Sequence, residues 1–80
     1  MKYEKVRYNC PCCHYITLSE RGQYEICPVC FWEDDGSEDP EEYSGPNHIT
    51  LQEGRDNYAC FGACDQAAKK HVRKPRKNEF

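Results

Sequence analysis

Two Cys-x-x-Cys pairs, Cys10/Cys13 and Cys27/Cys30, stand thirteen residues apart and constrain this chain more than anything else in it. Four thiolates at that spacing suit the tetrahedron of a single metal ion, and an all-cysteine site is a closed, structural one. The constraint matters because the chain has little else to fold around. Leu, Ile, Val and Phe number eleven in 80 residues, about 14%, below the roughly 20% under which disorder is the default reading. Six Tyr and one Trp add apolar area, but each brings a polar atom that needs a partner. A core in a chain this short rarely supplies more than about 3–5 kcal/mol. A structural zinc supplies on the order of 10–16 kcal/mol, delivered as folding energy because the site forms with the fold.

Disulfides are the competing staple. Seven cysteines is an odd number, and Met1 to Arg7 contains no apolar stretch of the kind that directs secretion. The expectation is a reducing, cytoplasmic setting, where paired cysteines more often bind metal than oxidise. No run approaches the eighteen or so apolar residues of a membrane-spanning helix. The net charge of −3 conceals an asymmetry: Glu33 to Glu42 carries seven acids and no base, and Lys69 to Lys77 six bases and no acid. A zinc held by four thiolates adds a local −2 to the acidic half. A duplex-binding ribbon is expected to show bases beside its metal; this one shows acids.

Along the chain, Tyr15 to Leu18 and Gln23 to Ile26 flank Ser19-Glu20-Arg21-Gly22, predicting a hairpin that puts Ile16, Leu18, Tyr24 and Ile26 on one face. Lys5 to Tyr8 is read as a further strand. Asp39-Pro40-Glu41-Glu42 suits one capped helical turn. Thr50-Leu51-Gln52-Glu53 matches the capping box, predicting a helix over about 51–61 with Leu51, Gly54, Tyr58 and Phe61 on one stripe and Gly62 as its terminator. Asp65 is placed to cap a short helix over 66–72. The fold expected is a small metal-stabilised α+β domain over residues 1–72: a zinc ribbon with rubredoxin-like knuckles over about 5–36, an acidic loop over 33–48, and one or two short C-terminal helices. Residues 73–80 read as a basic, flexible tail.

Cys10-Pro11-Cys12-Cys13, the run Tyr24-Glu25-Ile26-Cys27-Pro28-Val29-Cys30-Phe31-Trp32-Glu33-Asp34-Asp35-Gly36, Leu18 to Gly22, and Asn57-Tyr58 with Phe61-Gly62-Ala63-Cys64 resemble the bacterial cysteine-rich CPCC family. The resemblance covers roughly residues 8 to 75. It implies a small zinc-ribbon protein and implies no activity. Two positions depart from the family pattern: His14 stands where Gly usually follows the second Cys, and Gly54 where Ala usually sits. The first departure places a side chain where φ > 0 is favoured, which His tolerates better than a branched residue.

Cys10, Cys13, Cys27 and Cys30 are therefore the expected ligands, with Pro11 and Pro28 fixing φ at matching knuckle positions so that later N–H groups face the sulfurs. Zinc is the expected ion, and iron the alternative at the same ligands. Cys12 and His14 are alternate ligands, weighed against a spectator thiol and a turn residue. Cys60 and Cys64 straddle Gly62 and read as packing cysteines. Phe31 and Trp32 cover the metal or, with Glu33, Asp34 and Asp35, form an anchor for a partner protein. Arg73, Lys74, Arg76 and Lys77 are candidate phosphate contacts for nucleic acid. No nucleophile–base pair or open metal position is legible. The reading is a non-catalytic zinc protein that binds another protein, with nucleic-acid binding and rubredoxin-like electron transfer as alternatives.

Overall fold

The computed structural model describes residues 7–80. Four short strands, one helix and two 3-10 turns follow in order: β1 Tyr8–Asn9, β2 Ile16–Leu18, β3 Tyr43–Ser44, β4 Ile49–Thr50, α1 Leu51–Phe61, then Gln66–His71 and Lys77–Glu79. The small α+β ribbon expected from the sequence is what forms, but its hairpins are not where periodicity put them. β2 pairs antiparallel with β1, Tyr8 opposite Leu18, with a register shift between Tyr8 and Asn9. Gln23 to Ile26 does not pair with β2. It runs instead against the residues after the second cysteine pair: the Tyr24 amide donates to Asp34 O (2.8 Å), the Asp34 amide to Glu25 O (3.0 Å) and the Cys27 amide to Trp32 O (2.9 Å), with Ile26 bridged to Glu33.

Each Cys-x-x-Cys thus closes its own hairpin instead of flanking a shared one. The physical reason is reach. A knuckle turns the chain through a full reversal, so the residues on its two sides are already adjacent and take up each other's backbone groups. The predicted common face fails accordingly: Leu18 is buried, whereas Tyr24 and Ile26 are exposed. Of the expected Lys5–Tyr8 strand, Tyr8 lies in β1, and Lys5 and Val6 fall outside the described residues.

β3 and β4 form a second antiparallel pair, Tyr43 opposite Thr50 and Ser44 opposite Ile49. Before it, Asp39 accepts from the Glu41 amide through Oδ1 and from the Glu42 amide through its carbonyl, so the predicted helical turn survives as a capped turn without becoming a helix. At Thr50 the capping box is complete: the Glu53 amide donates to Oγ1 (3.1 Å), and the Thr50 amide to Glu53 Oε1 (2.8 Å). Gly62 ends α1 at φ 84°, its amide donating to Tyr58 O, a left-handed position that Gly adopts without penalty. Asp65 caps the next segment through the Ala68 amide, but that segment winds as 3-10 over Gln66–His71.

The core is unusual in its makeup. Among the described residues, half of the twelve buried apolar or cysteine side chains are cysteines: Cys10, Cys12, Cys13, Cys27, Cys30 and Cys64. Trp32, Leu18, Leu51 and Val29 are the largest of the others. Among the described residues, no helix is long and apolar enough to cross a membrane.

Candidate metal centre

The two knuckles repeat the same local geometry. In the first, the His14 amide donates to Cys10 O (2.8 Å) and the Cys10 amide to Tyr15 O (2.8 Å). In the second, the Phe31 amide donates to Cys27 O (2.7 Å) and the Cys27 amide to Trp32 O. Both turns finish on a left-handed residue, His14 at φ 71° and Phe31 at φ 73°. The positive φ anticipated for His14 is present, and its counterpart at Phe31 is the same requirement in the second knuckle.

These two turns face one another and bring Cys10, Cys13, Cys27 and Cys30 into one buried cluster, with all four Sγ atoms within 4.8 Å of one another. Cys10 Sγ lies 3.6 Å from Cys30 Sγ, and Cys13 Sγ 3.7 Å from Cys27 Sγ. A tetrahedron with metal–sulfur bonds of about 2.3 Å has sulfur–sulfur edges of about 3.8 Å, whereas a disulfide needs about 2.05 Å. The spacing fits four ligands around one ion and fits no disulfide.

The chemistry of the cluster points the same way. Hydrogen bonding from Cys10 and Cys13 pulls the Cys27 thiol strongly down. Thr17 Oγ1 (3.0 Å) and the Val29 amide (3.4 Å) also donate to its sulfur. Cys13 and Cys30 are pushed strongly up, first by hydrogen bonding to Cys10. Four adjacent thiols in a dry pocket cannot all ionise without a cation, and a divalent ion removes that conflict by replacing their protons. Among the described residues these four are the one group of three or more ligand atoms close enough to share an ion.

The other predicted site residues separate clearly. Cys12 is buried beside Trp32 and Gly54, so close that a Cβ on Gly54 would lie 3.3 Å from its sulfur and 2.8 Å from Trp32 Cζ3. His14 is exposed on the outside of the first knuckle. Cys60 is exposed; Cys64 is buried, its thiol pushed up to about 12 by burial and the neighbouring Asp65.

The surface proposed around Phe31 to Asp35 requires correction. Trp32 and Asp34 are 1% and 0% exposed, so neither meets a partner from where it stands. Trp32 is the largest fully buried side chain, and its indole N–H has no hydrogen-bond partner. It was drawn inside because α1 presents a glycine to its ring. Asp34 is a clamp: it accepts from Arg21 Nε (2.8 Å), Arg21 Nη2 (3.4 Å) and the amides of Gly22 (2.8 Å) and Gly36 (3.0 Å). Burial opposes its charge, but the guanidinium and the two backbone donors more than offset this and hold its carboxyl below the usual range. Phe31, half-buried, stacks on His71 at 4.9 Å. Glu33 and Asp35 are half-exposed.

The segment read as a loose tail is also bound. Glu79 is buried and takes two hydrogen bonds from Arg73 (2.9 and 2.8 Å) and one from the Arg76 amide. The Arg73 amide reaches Pro28 O, and the Phe80 ring meets Tyr15 edge-on at 5.2 Å. Arg73 is thereby spent on Glu79; Lys74, Arg76 and Lys77 remain exposed. Three contributors carried no sequence signal of their own. Asn47 pairs with both backbone groups of Glu33 (2.9 and 2.8 Å), Arg55 Nε donates to Pro11 O (2.8 Å), and Arg21 bridges Asp34 and Glu38. Each is a contact between distant segments.

No curated protein and no solved structure matches the chain. The family profile described as Cysteine-rich CPCC matches residues 8–79, nearly the whole length and both knuckles. With that match, and with the two knuckles it spans meeting in one four-cysteine cluster, the chain belongs to the cysteine-rich CPCC family.

Proposed function

We propose that this is a non-catalytic protein in which Cys10, Cys13, Cys27 and Cys30 hold one zinc ion structurally and the folded surface serves as a protein-interaction module. The carrying observation is closure. The four sulfurs supply a full tetrahedron and the residues bearing them are between 0% and 7% exposed, which leaves no coordination position for substrate or water. Zinc is favoured over iron because a closed all-thiolate tetrahedron is its usual structural chemistry and it needs no redox partner. With Trp32 buried, the surface proposed for a partner protein is Tyr24 and Ile26. They alternate onto the outer side of the second knuckle's hairpin and are 57% and 45% exposed, beside the acidic loop. An aromatic and a branched aliphatic in a partly acidic surround match the make-up of an interface core and rim.

Metal analysis of natively purified protein should find one zinc per chain in a colourless preparation, lost on Cys→Ser at 10, 13, 27 or 30 and kept on Cys12→Ser. A red, redox-active preparation overturns the zinc assignment. Affinity purification from the native host should recover a protein partner that a zinc-retaining Tyr24→Ser/Ile26→Ser variant fails to hold. Equal recovery by that variant removes the surface.

A further inference from the structure

A cavity of about 310 Å³ lies on the outer side of the first knuckle. Asn9, Pro11, His14, Arg21, Glu38 and Arg55 are among the residues that line it. Its two arginines are not equivalent. Arg21 spends all three nitrogens on carboxylates, Nε and Nη2 on Asp34 and Nη1 on Glu38. Arg55 spends only Nε, on the Pro11 carbonyl (2.8 Å), and no carboxylate pairs with it among the described residues. That single bond fixes the half-buried guanidinium in the cavity wall, with both terminal nitrogens unspent among the described residues. A fixed planar fork with two unspent N–H-bearing nitrogens is the geometry that takes a carboxylate or phosphate oxygen pair. The exposed His14 lines the same cavity.

We propose that this cavity binds a small oxyanion, a carboxylate or a phosphate, through Arg55, with His14 as a second contact. The volume stands at the lower end of ligand pockets, roughly 300–1,000 Å³, which fits a small molecule. Glu38 on the rim and the net −2 of a filled four-thiolate centre behind the knuckle both oppose extended polyanions. The same charges weaken the binding of any anion.

The test uses the full, metal-loaded chain, followed by ¹⁵N–¹H NMR during titration with sodium phosphate and, separately, sodium acetate at constant ionic strength. Saturable shifts are expected at the Arg55 Nε–H and the amides of Asn9 and His14. Arg55→Gln should weaken the titration about tenfold or more, the factor for one lost charge-assisted bond. Lys69→Gln, which lies outside the cavity, should leave it unchanged. Because Arg55→Gln also alters the Pro11 contact, His14→Gln provides a variant that keeps that contact, with binding reduced severalfold. Phosphate alone titrating, or acetate alone, tells which oxyanion the site prefers. Shifts that fail to saturate, or that persist unchanged in Arg55→Gln, overturn the proposal, and metal content in each sample reports independently on the zinc centre.

Discussion

Four residues show how position in the fold decides what an ordinary residue does. Asp34 sits in a run of acids that reads as a solvated loop, yet it is the best-connected carboxylate in the protein. Replacing it with Asn leaves Arg21 without its buried partner, and removing one member of a buried pair costs about 3–5 kcal/mol. Since Arg21 is itself 24% exposed and regains some hydration, a loss of about 2–3 kcal/mol is expected, measured by urea unfolding. The pH dependence follows from the lowered carboxyl. Its contribution is complete above the unfolded aspartate value of about 3.9 and is lost as pH falls through the lower folded value. Acid also strips metal from thiolates, so the informative quantity is the wild-type minus Asp34→Asn difference at each pH, which should shrink on acidification. Gly54 presents the opposite case. An Ala there gains about 1 kcal/mol of helix propensity, but its Cβ would meet the buried Trp32 ring at 2.8 Å. Overpacking costs typically 1–3 kcal/mol, so Gly54→Ala should lower stability by about 1 kcal/mol net. A rise in denaturation midpoint would show that the indole has room to move. His14 and Phe31 accept left-handed backbone because the knuckle turns impose it. The family resemblance flagged the first and gave no hint of the second.

At the scale of elements, local chemistry and long-range contact part company. The helix was legible in the sequence, since Thr50 with Glu53 at one end and Gly62 with Tyr58 at the other make capping bonds between residues a few positions apart. The strands were misassigned because periodicity identifies an extended segment without naming its partner, and knuckle closure chose the nearer one. The C-terminal segment was misread for a related reason. Six bases without an acid look solvated, but Glu79 lies just beyond that run and turns Arg73 inward. This segment fastens the second knuckle through Pro28 and covers Tyr15 with Phe80. Glu79→Gln should cost about 1 kcal/mol, given that Arg73 remains partly exposed, and lower the melting temperature by about 4–8 °C. Hydrogen bonding from Arg73 outweighs burial and takes the Glu79 carboxyl down to about 2 from its ordinary 4.5. Its contribution is therefore full above pH of roughly 4.5 and disappears as pH falls toward about 2. The melting difference between wild type and Glu79→Gln should close over that window; a difference independent of pH would exclude the ion pair as its cause.

On the scale of the whole molecule, the core and the candidate metal centre are the same object. Among the described residues, half of the buried apolar or cysteine side chains are cysteines, and four of those face one another, so the apolar remainder there is Trp32, Leu18, Leu51, Val29 and small residues. With a metal contribution on the order of 10–16 kcal/mol set against a net domain stability of about 5–15, removal of the ion should unfold the chain. Chelator titration followed by far-UV circular dichroism and Trp32 fluorescence should show one transition, with the buried indole moving into water, reversed by adding back zinc. Retention of the native spectrum after complete metal loss would mean the apolar core suffices. From the sequence alone came the four-cysteine cluster, the α+β class and the helix with its caps, because each rests on residues close in the chain or on a spacing that suits one ion. Tertiary structure decided which strands pair, that Trp32 and Asp34 lie inside, and that residues 73–79 pack against the ribbon. Those outcomes depend on energies that exist only once distant segments meet: a glycine opposite an indole, a guanidinium opposite a carboxylate. A linear pattern of residue types carries no record of either.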